Sequence, residues 1–371
     1  MKDMDELFDL LRERAVPFAM YRLPGESSVH LMVQYSSLPL PVDKLDDLPE
    51  LPGFLIAPFP VNGGDKAYLL QTDLVCAPEE APAKLGDVLH GCNPTALPSP
   101  EKPSDTTHNE YVKQVQLAVE AIRAEEFNKV IISRNKTVDR PHEFRPERFF
   151  AELCAEYEHA FVYYWQLPGV GSWLGATPEV LMREQQGRIS TLSLAGTQLY
   201  FQPDLEEYCW KAKEIAEQAF VSRFIVQLLD KMGVEAMEID GPRNFRAGNL
   251  VHLATGFQFE SDNLRVSRGR FIARLHPTPA VAGLPRDESL EFIKKTEQYN
   301  RSYFSGLVGP VQLKGETHLY VNLRCMQLFA DQLVLYSGAG ITAHSDPEKE
   351  WMETENKMKT LLNVMHVQTG H

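Results

Sequence analysis

Lys129 opens the run KVIISR (129–134), whose next three residues are apolar. A strand apolar on both faces is buried on both. An amine held at the head of such a strand is partly stripped of water, which favours its uncharged form and suits it to accept a proton. Glu179 ends LGATPE (174–179), where Gly175 and Pro178 bend the chain and set a carboxyl at the lip of a strand. Glu353 and Lys357 lie four apart in a helical stretch and project from one face of it. Glu214 and Glu217, three apart, share one side of an earlier helical stretch. One carboxylate from each helix could hold a hard cation such as Mg²⁺, which takes few protein carboxylates and keeps positions open for substrate. Arg324 follows the alternating HLYVNL and offers a planar fork for a substrate carboxylate. Taken singly, each residue also reads as ordinary surface: a strand-start lysine reaching solvent, a solvated turn glutamate, a strand-end arginine, a helical Glu–Lys pair worth about 0.3–0.5 kcal/mol.

The elements that must position these groups follow from apolar spacing. Residues 333–341 (LVLYSGAGI) read as a strand broken by a tight glycine turn at Gly338 and Gly340, where backbone N–H groups can approach an anion. After SDP (345–347), EKEWMETENKMKTLLNVM is helical by the spacing of Trp351, Met358, Leu361 and Leu362. A helix is expected over 110–126, from Tyr111, Val112, Val115, Val119 and Ile122, and a second over about 145–157. The longest is expected over 205–232, turning Ile215, Ala219, Phe220, Ile225, Leu228 and Leu229 to the core. Strands are expected at 28–35, 53–58, 66–71, 129–134, 160–167, 172–176, 179–183, 188–195, 270–275, 306–313 and 317–327. A Pro-, Ser- and Thr-rich connector (93–109) separates a strand-rich part, 1–107, from a main body, 108–371, joined in one fold. Strands arriving in runs between a few long helices predict an α+β fold of layered, mostly antiparallel sheets with helices outside.

Composition limits the partners. A formal charge of −14 over 371 residues argues against nucleic acid or an anionic membrane. An anionic substrate would therefore need a locally basic site or a recruited cation. Five cysteines without a CxxC pairing read as reduced thiols. The opening MKDMDELFDLLRERAVPF carries acids and lacks the apolar core of a signal peptide, and no run nears ~20 apolar residues, so a cytoplasmic location is expected.

Eight segments occur in one order: KVIISR (129–134), LGATPE (174–179), LSLAGT (192–197), HLAT (252–255), LHPTPAVAG (275–283), NLRC (322–325), SGAGI (337–341) and ETENK (353–357). Together they resemble the chorismate-utilising enzymes, the superfamily of anthranilate synthase component I, aminodeoxychorismate synthase, salicylate synthase and isochorismate synthase. The likeness covers about residues 108–365. It implies chorismate, a dianion, as substrate and Mg²⁺ as cofactor, with Glu217 and Glu353 holding the metal. It also implies that Arg324 and Lys357, with the backbone at Gly196 and Gly338, hold substrate carboxylates beside Thr197, and that His252 faces the ring.

The resemblance further sorts the members. Ala195 stands where aminodeoxychorismate-forming enzymes carry a lysine nucleophile. Lys129 is present where ammonia-using members lack a lysine, as suits a water nucleophile that must lose a proton. Ala280 and Phe304 stand where pyruvate-eliminating members carry Thr and Tyr. These positions look like those of the isochorismate synthases, with the salicylate synthases as the alternative. Lys129 is then the base that deprotonates water attacking ring carbon 2, and Glu179 the acid that protonates the hydroxyl leaving carbon 4. Departures from the family pattern are Gln198 for Arg, Ala212 for an acid and Gly256 for Pro. A monomer is expected. With no siderophore module fused, menaquinone synthesis is favoured over catecholate siderophore synthesis as the destination of the product.

Overall fold

The structure is a computed structural model describing residues 2–36, 38–60, 65–91, 100–234, 236–247 and 250–369. Two nine-stranded sheets dominate it. The first runs, edge to edge, through strands Gly283–Leu284, Lys129–Asp139, Gln332–Ile341, Cys325–Leu328, Gly171–Thr177, Phe161–Leu167, Phe18–Arg22, Val29–Val33 and Leu74–Cys76. The second runs through Glu238–Ala247, Leu250–Glu260, Arg188–Leu199, Val180–Gln185, Thr317–Val321, Leu307–Val311, Gly53–Ala57, Ala67–Leu70 and Leu40–Val42. Strands upstream of residue 107 thus add to both sheets: Phe18–Arg22 pairs with Phe161–Leu167, and Gly53–Ala57 with Leu307–Val311, both antiparallel.

Aromatic side chains join the sheets. Phe161 of the first stacks on Tyr320 of the second, with ring centroids 4.1 Å apart and planes 5° apart. Trp165, Trp173, Tyr163, Phe54 and Val308 fill the same layer and are fully buried. Burying each such ring stabilises the fold by roughly 1.5–3 kcal/mol. On its outer face the first sheet carries the helices Lys2–Glu13, Ala81–Gly91, Pro146–Glu156 and Pro347–Thr369. The helix His108–Arg123 starts at a capping box, Thr107 bonding the backbone of Glu110 and Glu110 returning to that of Thr107. It buries Tyr111, Val115, Val119 and Ile122, the stripe the sequence shows.

Four sequence expectations are corrected. Residues 270–275 are not a strand: Arg268–Leu275 is a helix capped by Ser267, with Phe271, Ile272 and Leu275 buried on one side. Gly338 and Gly340 are not a turn. They lie inside the continuous strand Gln332–Ile341, opposite Ser133 and Ile131, and the chain turns only after Ile341. Their small size serves close approach, because a Cβ on Gly340 would stand 3.0 Å from Lys129 Cε. The stretch 317–327 splits in two around a bend at Asn322–Arg324, where Arg324 takes a left-handed φ of 47°. The helix expected over 205–232 is Ala212–Lys231, preceded by a short 3₁₀ turn at Leu205–Glu207. It buries Gln218, Ile225 and Leu229, whereas Ile215, Ala219 and Phe220 are exposed.

Cys76, Cys154, Cys209 and Cys325 are free thiols, and Cys92 lies outside the described residues. Among the described residues no helix is long and apolar enough to cross a membrane.

Candidate active site

An open cavity of about 1630 Å³ lies where the ends of both sheets meet the helices Ala212–Lys231 and Pro347–Thr369. Lys129 reaches it from the first residue of its strand, and its backbone is held from the strand's other edge. Leu284 pairs with it, and its carbonyl accepts the Ser289 hydroxyl at 3.0 Å. Glu179 reaches the same cavity from a fastened bend. There Thr177 Oγ1 donates to the Val321 carbonyl at 2.6 Å and the Val321 N–H to the Glu179 carbonyl at 2.9 Å. Arg324 enters from the bend after Thr317–Val321, which is tied down by the Ala176 N–H donating to the Arg324 carbonyl at 3.0 Å.

Gly196, His252, Ala280, Phe304, Gly338, Glu217, Glu353 and Lys357 line the cavity as well. Of the expected site residues only Thr197 is left without a side-chain account, because its side chain lies outside the described parts. Gly196 has a φ of +63°, and a Cβ there would fall 2.5 Å from the Trp210 ring. His252 Nδ1 stands 3.0 Å from the Gly196 carbonyl. A carbonyl only accepts, so Nδ1 carries the proton and Nε2 is the basic nitrogen. Phe304 is 2% exposed and stacks against Tyr336.

The electrostatics separate the roles. Burial pushes the Glu179 carboxyl above its ordinary value, against the opposing pull of Arg324, Lys129 and Lys357. That favours a protonated carboxyl, able to donate. Burial lowers Lys357 as well, with Glu353 opposing the shift. Lys357 Nζ sits 2.6 Å from Glu353 Oε1 and donates to the Gly338 carbonyl at 2.8 Å. His252 is lowered by burial, which keeps its ring neutral. Lys129 Nζ lies 4.0 Å from Glu217 Oε2.

The carboxylates fit a magnesium ion. Glu217 and Glu353 face one cavity from two different helices and supply the oxygen donors a hard cation requires. Among the described residues no three His, Cys, Asp or Glu groups converge on one point, but Mg²⁺ is held by one or two carboxylates plus water and substrate oxygens. Glu214 and Glu350 also line the cavity, each one helical turn before the named glutamate. Glu214 Oε2 is buried without a hydrogen-bond partner among the described residues, as expected of an oxygen left for a ligand. Glu214 is already singled out in the sequence beside Glu217, and the same E-x-x-E spacing is the signal there for Glu350.

The sequence profile of the family described as "chorismate binding enzyme" matches residues 75–366. The chain belongs to that family. Its relatives include the isochorismate synthase EntC of Escherichia coli, 29% identical over 269 residues, which cover 71% of this chain and 68% of EntC. The vibriobactin-specific isochorismate synthase of Vibrio cholerae is 28% identical over 242 residues, 63% of this chain. The match spans 61% of that relative's length. Among solved structures, that of a putative 2,3-dihydroxybenzoate-specific isochorismate synthase, DhbC, from Bacillus anthracis superposes with a TM-score of 0.76 at 23% identity. It covers 96% of this chain and 99% of that one. The fold is therefore that of this family, as its two layered sheets already indicated.

Proposed function

We propose that this chain is an isochorismate synthase, converting chorismate to isochorismate with Mg²⁺. One observation carries the reading: Lys129 and Glu179 open onto the same cavity as Arg324 and Lys357, which pairs a base and an acid with two cationic anchors. The names borne by the relatives agree with it.

In this reading Arg324 and Lys357 bind the substrate carboxylates, supplying local positive charge in a chain whose formal net charge is −14. Lys129, as the base, takes a proton from a water that adds to ring carbon 2. Glu179, kept protonated by burial, gives its proton to the hydroxyl departing from carbon 4 as the double bonds shift. One water enters and one leaves, so the net change is an isomerisation. Each such proton transfer contributes about 10²–10⁴-fold in rate. His252, with its proton fixed on Nδ1, presents a neutral ring edge. The metal, held by Glu217 and Glu353, would offset the charge of the substrate carboxylate and orient it. Phe304 and Ala280 wall the site with no hydroxyl at either position.

The test is incubation of the protein with chorismate and Mg²⁺, coupled to an isochorismate-consuming enzyme. Isochorismate without pyruvate is the expected result. Salicylate with pyruvate would make the chain a salicylate synthase instead, and no conversion would overturn the reading.

A further inference from the structure

The helix Ala212–Lys231 carries Glu214 and Glu217 near its start, yet its apolar anchors lie in its second half, at Ile225 and Leu229. Over residues 212–220 the large apolar side chains are exposed, Ile215 at 51% and Phe220 at 47%, and Val221 is the first to pack against the core. The one buried residue among those described there is polar: Gln218, 2% exposed. Its Nε2 stands 2.8 Å from Ser193 Oγ and 2.9 Å from Thr255 Oγ1. The Ser193 carbonyl lies 3.3 Å away. Ser193 and Thr255 face each other across neighbouring strands of the second sheet. A single amide therefore grips one rung of that sheet, three residues from Gly196 on one strand and three from His252 on the other.

The apolar stripe of Ile225 and Leu229 sets the rotation of the helix's second half, but among the described residues 212–220 no buried apolar side chain sets it. Hydrogen bonds to two strands do fix it. We propose that Gln218 is a positioning residue for the metal carboxylates: its amide sets the rotation of the helix so that Glu217, the adjacent residue, and Glu214, one turn before, face the cavity. This rests on the reading of Glu217 as a metal ligand. Groups that orient ligands in this way are worth about 10–100-fold in metal affinity.

Calorimetric titration of Mg²⁺ into the Gln218→Met protein, with the same volume but no amide, tests this. The expected result is a dissociation constant raised about 10–100-fold, with a metal-free melting temperature near that of the parent and turnover that recovers at high Mg²⁺. Mg²⁺ affinity within twofold of the parent would overturn the proposal. Should Gln218→Met fail to fold, Thr255→Val removes a partner from the sheet side and must weaken Mg²⁺ binding in the same direction; unchanged binding would again overturn it. Glu217→Gln separates the two claims. If Glu217→Gln binds Mg²⁺ as the parent does, the ligand assignment itself is wrong. If it loses the metal while Gln218→Met keeps it, only the positioning role fails.

Discussion

Lys129 Nζ and Glu217 Oε2 stand 4.0 Å apart, so the proposed base and a proposed metal carboxylate meet across one corner of the cavity. A cation taking the Glu217 oxygen competes with the lysine for it. Lys129→Met should therefore lose about 10²–10⁴-fold in turnover while binding Mg²⁺ at least as tightly as the parent. Steady-state kinetics with parallel calorimetry reads both, and a Lys129→Met protein with parental turnover would remove Lys129 from the chemistry.

Glu179 predicts two pH effects. Its folded-state pKa is raised by burial, so activity that needs the protonated acid should fall as pH rises through a value above the ordinary carboxylate range. In the unfolded chain the carboxyl ionises first, so the folded state loses stability between the ordinary value and the raised one. Glu179→Gln cannot titrate. It should abolish most turnover, about 10²–10⁴-fold, flatten that part of the stability profile and melt higher than the parent at neutral pH. Equal melting temperatures at neutral pH would show that the carboxyl is not desolvated.

Glu353 has Lys357 as its partner at 2.6 Å. Glu353→Gln should weaken Mg²⁺ binding and also leave Lys357 without its counter-charge, so chorismate affinity measured without metal should rise. Chelation of the parent should stop turnover, and added Mg²⁺ should restore it. Turnover that persists in excess chelator would refute the metal's role.

Gly340→Ala places a methyl group 3.0 Å from Lys129 Cε and 3.7 Å from its Nζ. The lysine side chain must give way, and a displacement near 1 Å at a reacting group can reduce rate about 10²-fold. The loss should fall on kcat, with Mg²⁺ affinity and melting temperature little changed. An unchanged kcat would mean that the lysine has slack in its position.

Much of this was legible in the chain. Lys129, Glu179, Glu353 and Lys357 could be singled out because their neighbours have strong local patterns: an apolar strand, a Gly–Pro bend, a helical i,i+4 pair. The glycines of SGAGI read in the sequence as a turn, yet both lie inside the strand Gln332–Ile341. A glycine pair looks the same in sequence whether it makes a turn or clears space, and only the register against Ile131 and Ser133 distinguishes the two. The buried face of Ala212–Lys231 differs from the expected one for a related reason. Ile215 and Phe220 look like core by side-chain type, and no helical periodicity marks a buried glutamine. The strand expected at 270–275 failed because a span as short and apolar-rich as RFIARL reads equally as strand or helix, and the Ser267 cap that makes it helical contributes only about 1 kcal/mol of local preference.

The way the sheets are threaded bears on how the enzyme can be divided. Phe161–Leu167 and Leu307–Val311 each have one neighbour that comes from the first 57 residues. A fragment cut just before His108 would bare two strand edges and strip Tyr21 and Phe54 from the aromatic layer while keeping every residue proposed to take part in the reaction. Such bared edges template pairing between chains, so aggregation should precede any loss of chemistry. An engineer wanting a smaller catalyst must shorten loops, because the first 57 residues cannot be spared without opening both sheets.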